Sequence, residues 1–170
     1  ADTSYGYDGW NLVEEARREG TTIRTNRYVW GLDLSGTFQG AGGIGGLLAV
    51  VQDGLPYMAC ADGNGNVTAL VDTNGAVAAR YEYSPFGETL SATGPAVAGN
   101  PFRFSTKYTD DETGLVYYGR RYYSPSLGRW LSRDPIGEWG GLNLYEFCKN
   151  DPIRNLDAMG AYTLYFPVTW

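Results

Sequence analysis

The sequence predicts a mainly β protein built of stacked antiparallel β-hairpin repeats, and three observations carry that expectation. Glycine and aromatic residues are abundant, with 24 Gly, 14 Tyr and 5 Trp in 170 residues, while charged residues make up only 19%. Rings fit a pleated, half-buried surface, and glycine supplies the positive φ that tight hairpin turns require. Asp-Gly and Asn-Gly signals recur between short apolar runs, the pattern of strands joined by turns. A hairpin unit also repeats along the first half of the chain, and hairpins that cannot close a core alone imply stacking into a larger sheet or solenoid.

Taken in order, Tyr5 and Tyr7 stand at period two before Asp8-Gly9, which reads as a strand entering a hairpin, with the return strand starting at Asn11 and running to Glu15. Propensity alone would make Val13 to Glu19 a short helix ended by Gly20. The downstream repeat overrides it. There, Asp62-Gly63-Asn64-Gly65-Asn66-Val67 precedes Ala69 to Asp72, a turn at Thr73-Asn74-Gly75, and Arg80-Tyr81-Glu82-Tyr83. Each unit is a strand, a turn, a second strand and a closing aromatic pair: Tyr28 and Trp30 in the first, Tyr81 and Tyr83 in the second. Asp62 to Asn66 is a turn rather than an EF-hand loop, since Val67 and Thr73 occupy the positions that need Gly and Glu.

Between the units, Gly40 to Gly46 contains the string GxGxxG. A dinucleotide site would follow it with a helix, whereas the residues that follow, Leu47 to Val51, are strand-like and end at Asp53-Gly54. The reading is therefore a glycine loop packed against other backbone. From Ser84 onward rings alternate with arginines and turns, and Arg103, Arg120, Arg121 and Arg129 are expected to lie over neighbouring rings and snorkel outward. At most a short helical turn is expected, near Trp139 to Phe147. Trp130, Leu131, Leu142, Leu144, Tyr145 and Phe147 are expected to face inward.

Composition excludes several function classes. Thirteen basic against 19 acidic residues give a net charge of −6, which disfavours nucleic acid as a main partner because counterion release needs clustered Lys and Arg. The absence of histidine removes Ser-His-Asp and Cys-His catalysis and His-ligated zinc. Cys60 and Cys148 have no CxxC spacing and read as ordinary buried thiols. No twenty-residue apolar run marks a membrane span. No cofactor and no metal are expected, apart from a weak cation site conceivable at Asp110-Asp111-Glu112, more simply a solvated loop; Asp151 reads as a turn residue.

From Tyr81 to Gly160 the chain resembles the RHS-repeat-associated core, the closing segment of bacterial RHS proteins, related to toxin-complex C subunits and to the YD-repeat region of teneurins. The residues that carry the likeness are Tyr83-Ser84-Pro85-Phe86-Gly87, Asn100-Pro101-Phe102-Arg103-Phe104-Ser105, the run from Asp111 to Pro125, Gly128-Arg129-Trp130-Leu131-Ser132-Arg133-Asp134-Pro135-Ile136-Gly137, and Gly140-Gly141-Leu142-Asn143-Leu144-Tyr145. The first half resembles YD repeats more loosely. The resemblance implies a hollow shell of hairpin repeats that encloses a C-terminal toxic polypeptide, capped by the core segment. It divides the chain into repeats over 1–83, a core over 84–161, and the start of a variable segment over 162–170. The implied partners are the chain's own C-terminal segment and the preceding repeats, with self-association through exposed strand edges. The implied location is secreted or cell-surface.

Self-cleaving members resemble one another in a doubled motif, DPxGx, eighteen residues, then DPxGL, with the cut after the Leu. Here Asp134-Pro135-Ile136-Gly137-Glu138 is intact, and eighteen residues, Trp139 to Leu156, lead to Asp157. The second copy departs from the pattern, with Ala158 in place of Pro and Ala161 in place of Leu. The resemblance thus implies aspartate-dependent autoproteolysis between Ala161 and Tyr162, with Asp134 and Asp157 catalytic. Two carboxylates at close range split their proton affinities, so that one draws a proton from water while the other donates, without histidine. Arg133 either holds a carboxylate or an oxyanion, or faces solvent, since strand neighbours point to opposite sides. Two readings of the motifs remain: a catalytic pair, or ordinary Asp-Pro-x-Gly turns. At the level of the whole chain, the alternative to self-cleavage is a purely structural or adhesive module whose aromatic surface binds glycans or partner proteins.

Overall fold

A computed structural model describes residues 2–165 and contains no α-helix among them. Eight strands, β1 (Asp2–Asp8), β2 (Asn11–Glu19), β3 (Thr22–Trp30), β4 (Leu47–Gln52), β5 (Leu55–Ala61), β6 (Val67–Val71), β7 (Val77–Tyr83) and β8 (Thr89–Thr93), form one antiparallel meander in sequence order. The Val13 to Glu19 stretch is strand throughout, paired with β1 on one side and β3 on the other. Pairing with two neighbours outweighs a local helix preference of a few tenths of a kcal/mol per residue. The sheet continues past Tyr83 to Thr93, so its edge lies within the segment that begins at Ser84.

The expected turns close the hairpins. Asp62 Oδ1 accepts from the Asn64 and Asn66 amides, and Asp72 Oδ1 accepts from those of Asn74 and Ala76, the self-capping by which aspartate specifies a turn. Gly65, at φ +75°, is needed sterically: a Cβ there would sit 2.5 Å from Ile44 Cγ2 and 2.8 Å from the Gly45 nitrogen.

One face of the sheet carries Tyr28, Val50, Leu70, Ala79 and Tyr81, and residues 94–106 fold back across it. The two closing aromatic pairs face this way. Tyr28 and Trp30 stand edge-on to Phe102, and Tyr83 tilts against Phe104. Arg103, between the two phenylalanines, lies over Tyr81 at 5.7 Å and makes a bidentate pair with Asp111 at 2.7 and 3.1 Å. That pairing accounts for Asp111 without a cation, and the described residues contain no cluster of three His, Cys, Asp or Glu able to hold a metal.

A second, small sheet follows, β9 (Tyr108–Thr109), β10 (Val116–Tyr117), β11 (Tyr122–Ser124) and β12 (Arg129–Trp130), in the order β12-β11-β10-β9. Its core is a ring cluster of Phe104, Tyr118, Tyr123, Trp130 and Phe147, with Tyr123 stacked on Phe147 at 3.9 Å. Strands β13 (Asn155–Asp157) and β14 (Thr163–Tyr165) make a final hairpin. Leu156 of β13 packs on Ala41 and Ile44 of the glycine loop, which leads into β4 rather than a helix, so backbone packing is what the GxGxxG string does here.

Several expectations are corrected. Leu131 and Leu142 point outward, Leu142 at 91% exposure: Leu131 still bonds the Tyr122 carbonyl of the neighbouring strand and alternates with buried Trp130, while Leu142 lies in the irregular segment beyond. Leu144 and Tyr145 are half-buried. The one short right-handed 3₁₀ turn near the expected region, among the described residues, is that at Gly137–Trp139, and Cys148, Lys149 and Asn150 follow Phe147 at positive φ. Cys60 is exposed on the outer face of β5, while Cys148 is buried and its thiol is pushed up by burial. Arg103 and Arg121 do not snorkel but are buried. Arg120 is exposed.

Candidate functional site

The two Asp motifs are far apart in sequence and meet at one guanidinium. Arg121 lies in the sharp connection between β10 and β11 and is 3% exposed, with its guanidinium over the Trp130 ring at 4.2 Å. Its Nη2 is 2.9 Å from Asp134 Oδ2 and 3.7 Å from Asp157 Oδ2, so both carboxylates lie within 3.7 Å of one nitrogen. The Arg121 Nε donates to the Gly160 carbonyl at 2.5 Å and Nη1 to that of Leu144 at 3.3 Å.

Each aspartate divides its oxygens between two tasks. Asp134 Oδ1 caps its own turn by accepting from the Ile136 amide at 2.9 Å, while Oδ2 takes Arg121. Asp157 Oδ1 accepts three amides, Met159, Gly160 and Ala161, at 3.1, 2.6 and 3.0 Å. Its Oδ2 faces Arg121. The turn reading and the convergence of the two carboxylates therefore hold together in one structure.

The segment 158–161 is hydrogen-bonded along its length. Its carbonyls at Ala158, Met159 and Gly160 accept from Lys107 Nζ, the Arg120 amide and Arg121 Nε respectively. Ala161 is 2% exposed and Tyr162 53% exposed, so the peptide bond between them lies where the chain emerges from the interior. Beyond it, Thr163 and Leu164 of β14 return to pair with Asp157 and Leu156. Strand β14 thus spans Thr163–Tyr165, and Phe166 lies outside the described residues.

Electrostatics distinguish the two aspartates. The Asp157 side chain is 2% exposed, and burial raises its pKa above the ordinary carboxylate value despite the opposing effects of the three amides and Arg121. The Asp134 side chain is 12% exposed and sits nearer solvent. Arg133 is exposed, and the charge that joins the aspartates is Arg121. In the sequence, Arg121 read only as a ring partner within Tyr-Gly-Arg-Arg-Tyr-Tyr, and Lys107 had no distinguishing local signal.

A long antiparallel meander whose aromatic face is covered by its own following segment, continued by a small sheet to which the last hairpin is tied through buried Arg121, is the architecture of a hairpin-repeat domain. The teneurin YD-shell family model matches residues 42–153, and the chain belongs to this family. It is 45% identical over 97 residues to the toxin subunit YenC2 of Yersinia entomophaga, covering 55% of this chain and 10% of that one. It is 31% identical over 165 residues to the tRNA3(Ser)-specific nuclease WapA of Bacillus spizizenii, covering 94% of this chain and 7% of that one. In the crystal structure of TcdB2-TccC3-Cdc42 the fold recurs with a TM-score of 0.74 and 26% identity, covering 94% of this chain and 8% of that one. The chain thus spans a tenth or less of the length of these relatives. It is an RHS/YD shell domain, mainly antiparallel β, and among its described residues no helix is long and apolar enough to cross a membrane.

Proposed function

We propose that this domain is the closing part of a shell that encloses a C-terminal polypeptide, and that it hydrolyses its own peptide bond between Ala161 and Tyr162. The observation that supports this reading is the shared guanidinium, Arg121 against both Asp134 and Asp157, beside a hydrogen-bonded segment that ends at that bond. In this reading residues 1–83 are shell repeats, 84–161 the plug, and 162–170 the start of the released polypeptide. Its partners are that polypeptide, the repeats before it and the other chains of a toxin assembly, and it acts after export from the cell.

The carboxylates take different roles. Asp134, nearer solvent and paired with Arg121, takes a proton from water, and the hydroxide oxygen attacks the Ala161 carbonyl carbon. Asp157, whose burial favours the protonated form, donates to the carbonyl oxygen. Its Oδ1 is occupied by three amides, which leaves Oδ2, 3.7 Å from Arg121 Nη2, as the oxygen that carries the donated proton in this reading. Collapse of the tetrahedral species breaks the C–N bond as Asp134 gives the proton it took from water to the Tyr162 nitrogen and Asp157 recovers its own from the hydroxyl, which leaves a carboxyl group on Ala161 and a free amine on Tyr162. A paired acid and base of this kind suits a chain without histidine.

Intact mass after expression tests the reading. Loss of Tyr162 to Trp170 in the wild type, abolished in both Asp134→Asn and Asp157→Asn with folding retained, is the expected result. A well-folded wild type of unchanged mass would favour the structural or adhesive alternative, for which the exposed Tyr5, Tyr7 and Trp10 are the surface to test.

A further inference from the structure

A buried lysine beside the aspartates is left unused by the chemistry above. Lys107 is 7% exposed, and its Nζ donates to the Gly42 carbonyl at 2.6 Å and to the Ala158 carbonyl at 2.7 Å. The amine also lies 5.4 Å from the centre of the Tyr118 ring. Burial lowers its pKa to about 8, with Asp157 and Asp33 acting in the opposite direction.

The local backbone delivers Lys107 to this place. Ser105 and Thr106 both take positive φ, and Thr106 Oγ1 donates to the Gly65 carbonyl while accepting from the Gly45 amide. That docks the chain on the glycine loop one residue before the lysine. The loop is itself anchored: Asp33 is buried, and its Oδ2 accepts the Ala41 and Gly43 amides at 2.7 and 3.1 Å. At Gly42, φ is +63°, and a Cβ would fall 2.1 Å from the Ala158 oxygen. No side chain fits between the loop and the segment after Asp157.

We infer that Lys107 is a positioning residue that clamps the Ala158 carbonyl against the glycine loop and so fixes the turn by which Asp157 faces the Ala161–Tyr162 bond. The inference rests on the cleavage reading for its kinetic consequence but not for its structural one. The proline of the resembling families presets φ immediately after the second aspartate. Here Ala158 has no ring, and Lys107 restrains the same peptide from its oxygen while Arg121 holds the carbonyl two residues on. Proline and the lysine clamp are thus two routes to one restraint, and this chain uses the second.

The test uses the whole chain and two readouts. Lys107→Met keeps the aliphatic stem and removes the donors. Amide hydrogen exchange should then speed up about tenfold or more at Met159, Gly160 and Ala161, the amides held by Asp157, as expected when local opening becomes easier. Self-cleavage should slow by about ten- to a hundredfold, the cost of a misplaced reacting group. Adding Ala158→Pro should recover most of that rate, which a merely packing role for the stem would not permit. Asp134→Asn serves as the control and should stop cleavage without changing exchange at those amides. If the wild type is not cut, the aspartate chemistry fails while exchange still decides the clamp. Should Lys107→Met not fold, Gly42→Ala disturbs the same clamp from the loop side, since its Cβ would fall 2.1 Å from the Ala158 oxygen and 2.9 Å from Lys107 Nζ, and should give the same faster exchange. Unchanged exchange at all three amides in a folded Lys107→Met or Gly42→Ala variant would overturn the inference.

Discussion

Arg121 is the residue on which the most charge depends. With a side chain 2% exposed, it lies against one carboxylate equally buried and one only 12% exposed. Removing one partner of such a group strands the others without compensation, at a typical cost of about 3–5 kcal/mol. Arg121→Met should therefore lower the urea midpoint markedly, whereas Arg133→Ala, on an exposed side chain, should stay within about 0.5 kcal/mol of the wild type. Asp157 adds a pH signature. Its folded pKa is raised by burial above the unfolded value, so folding favours its protonated form. That contribution is fully present below the ordinary carboxylate range, around pH 4, and is lost as pH rises through the higher folded value. Urea titrations across this window should show stability from this group declining with rising pH, and Asp157→Asn should remove that component of the slope.

At the scale of elements, the ring cluster under the small sheet and the last hairpin behave differently. Trp130 and Phe147 are buried in one cluster with Tyr118 and Tyr123, and Trp130→Ala should cost about 3–5 kcal/mol. Leu142→Ala, at 91% exposure, should leave the thermal midpoint within a degree or so of the wild type, since substitutions on exposed side chains seldom exceed about 0.5 kcal/mol. Equal effects of the two would refute this division of the segment. The β13–β14 hairpin spans the proposed cut, pairing Asn155, Leu156 and Asp157 with Tyr165, Leu164 and Thr163. A cut chain should therefore keep its C-terminal peptide through native size-exclusion chromatography and release it in urea. Leu164→Pro, whose fixed φ and ring disfavour the centre of a three-residue paired strand, should release it without denaturant.

On the scale of the whole molecule, the meander has two outer strands, β1 and β8, with unpaired edges among the described residues. Such edges template pairing with further strands, which fits a domain that spans a tenth or less of its relatives. The isolated chain should associate with rising concentration in sedimentation velocity. A lysine on the exposed β1 edge, as in Thr3→Lys, should reduce that association without changing the circular dichroism. A monomer at all concentrations would show that β1 is already protected by its twist or by its flanking turn.

The sequence by itself determined the class of fold and most of its punctuation. Period-two rings, Asp-Gly and Asn-Gly turns and a repeated hairpin are local patterns, and strand pairing in a meander is local too, so each strand finds its neighbour across a short turn. It also marked the two aspartates, through a spacing of eighteen residues read against a resembling family. What only the tertiary structure decided is which charges meet. Arg121 and Lys107 come to the aspartates through bonds to backbone carbonyls at Gly160, Leu144, Gly42 and Ala158, and a carbonyl leaves no mark on residue type. The same limit applies to Leu131, Leu142 and Cys60, whose apolar character gave no sign of the side they face. A strand's two faces exchange with a one-residue shift, and in this protein the bulges at Val29/Trp30, Cys60/Ala61 and Glu82/Tyr83 set that shift through contacts that exist only once the sheet is assembled.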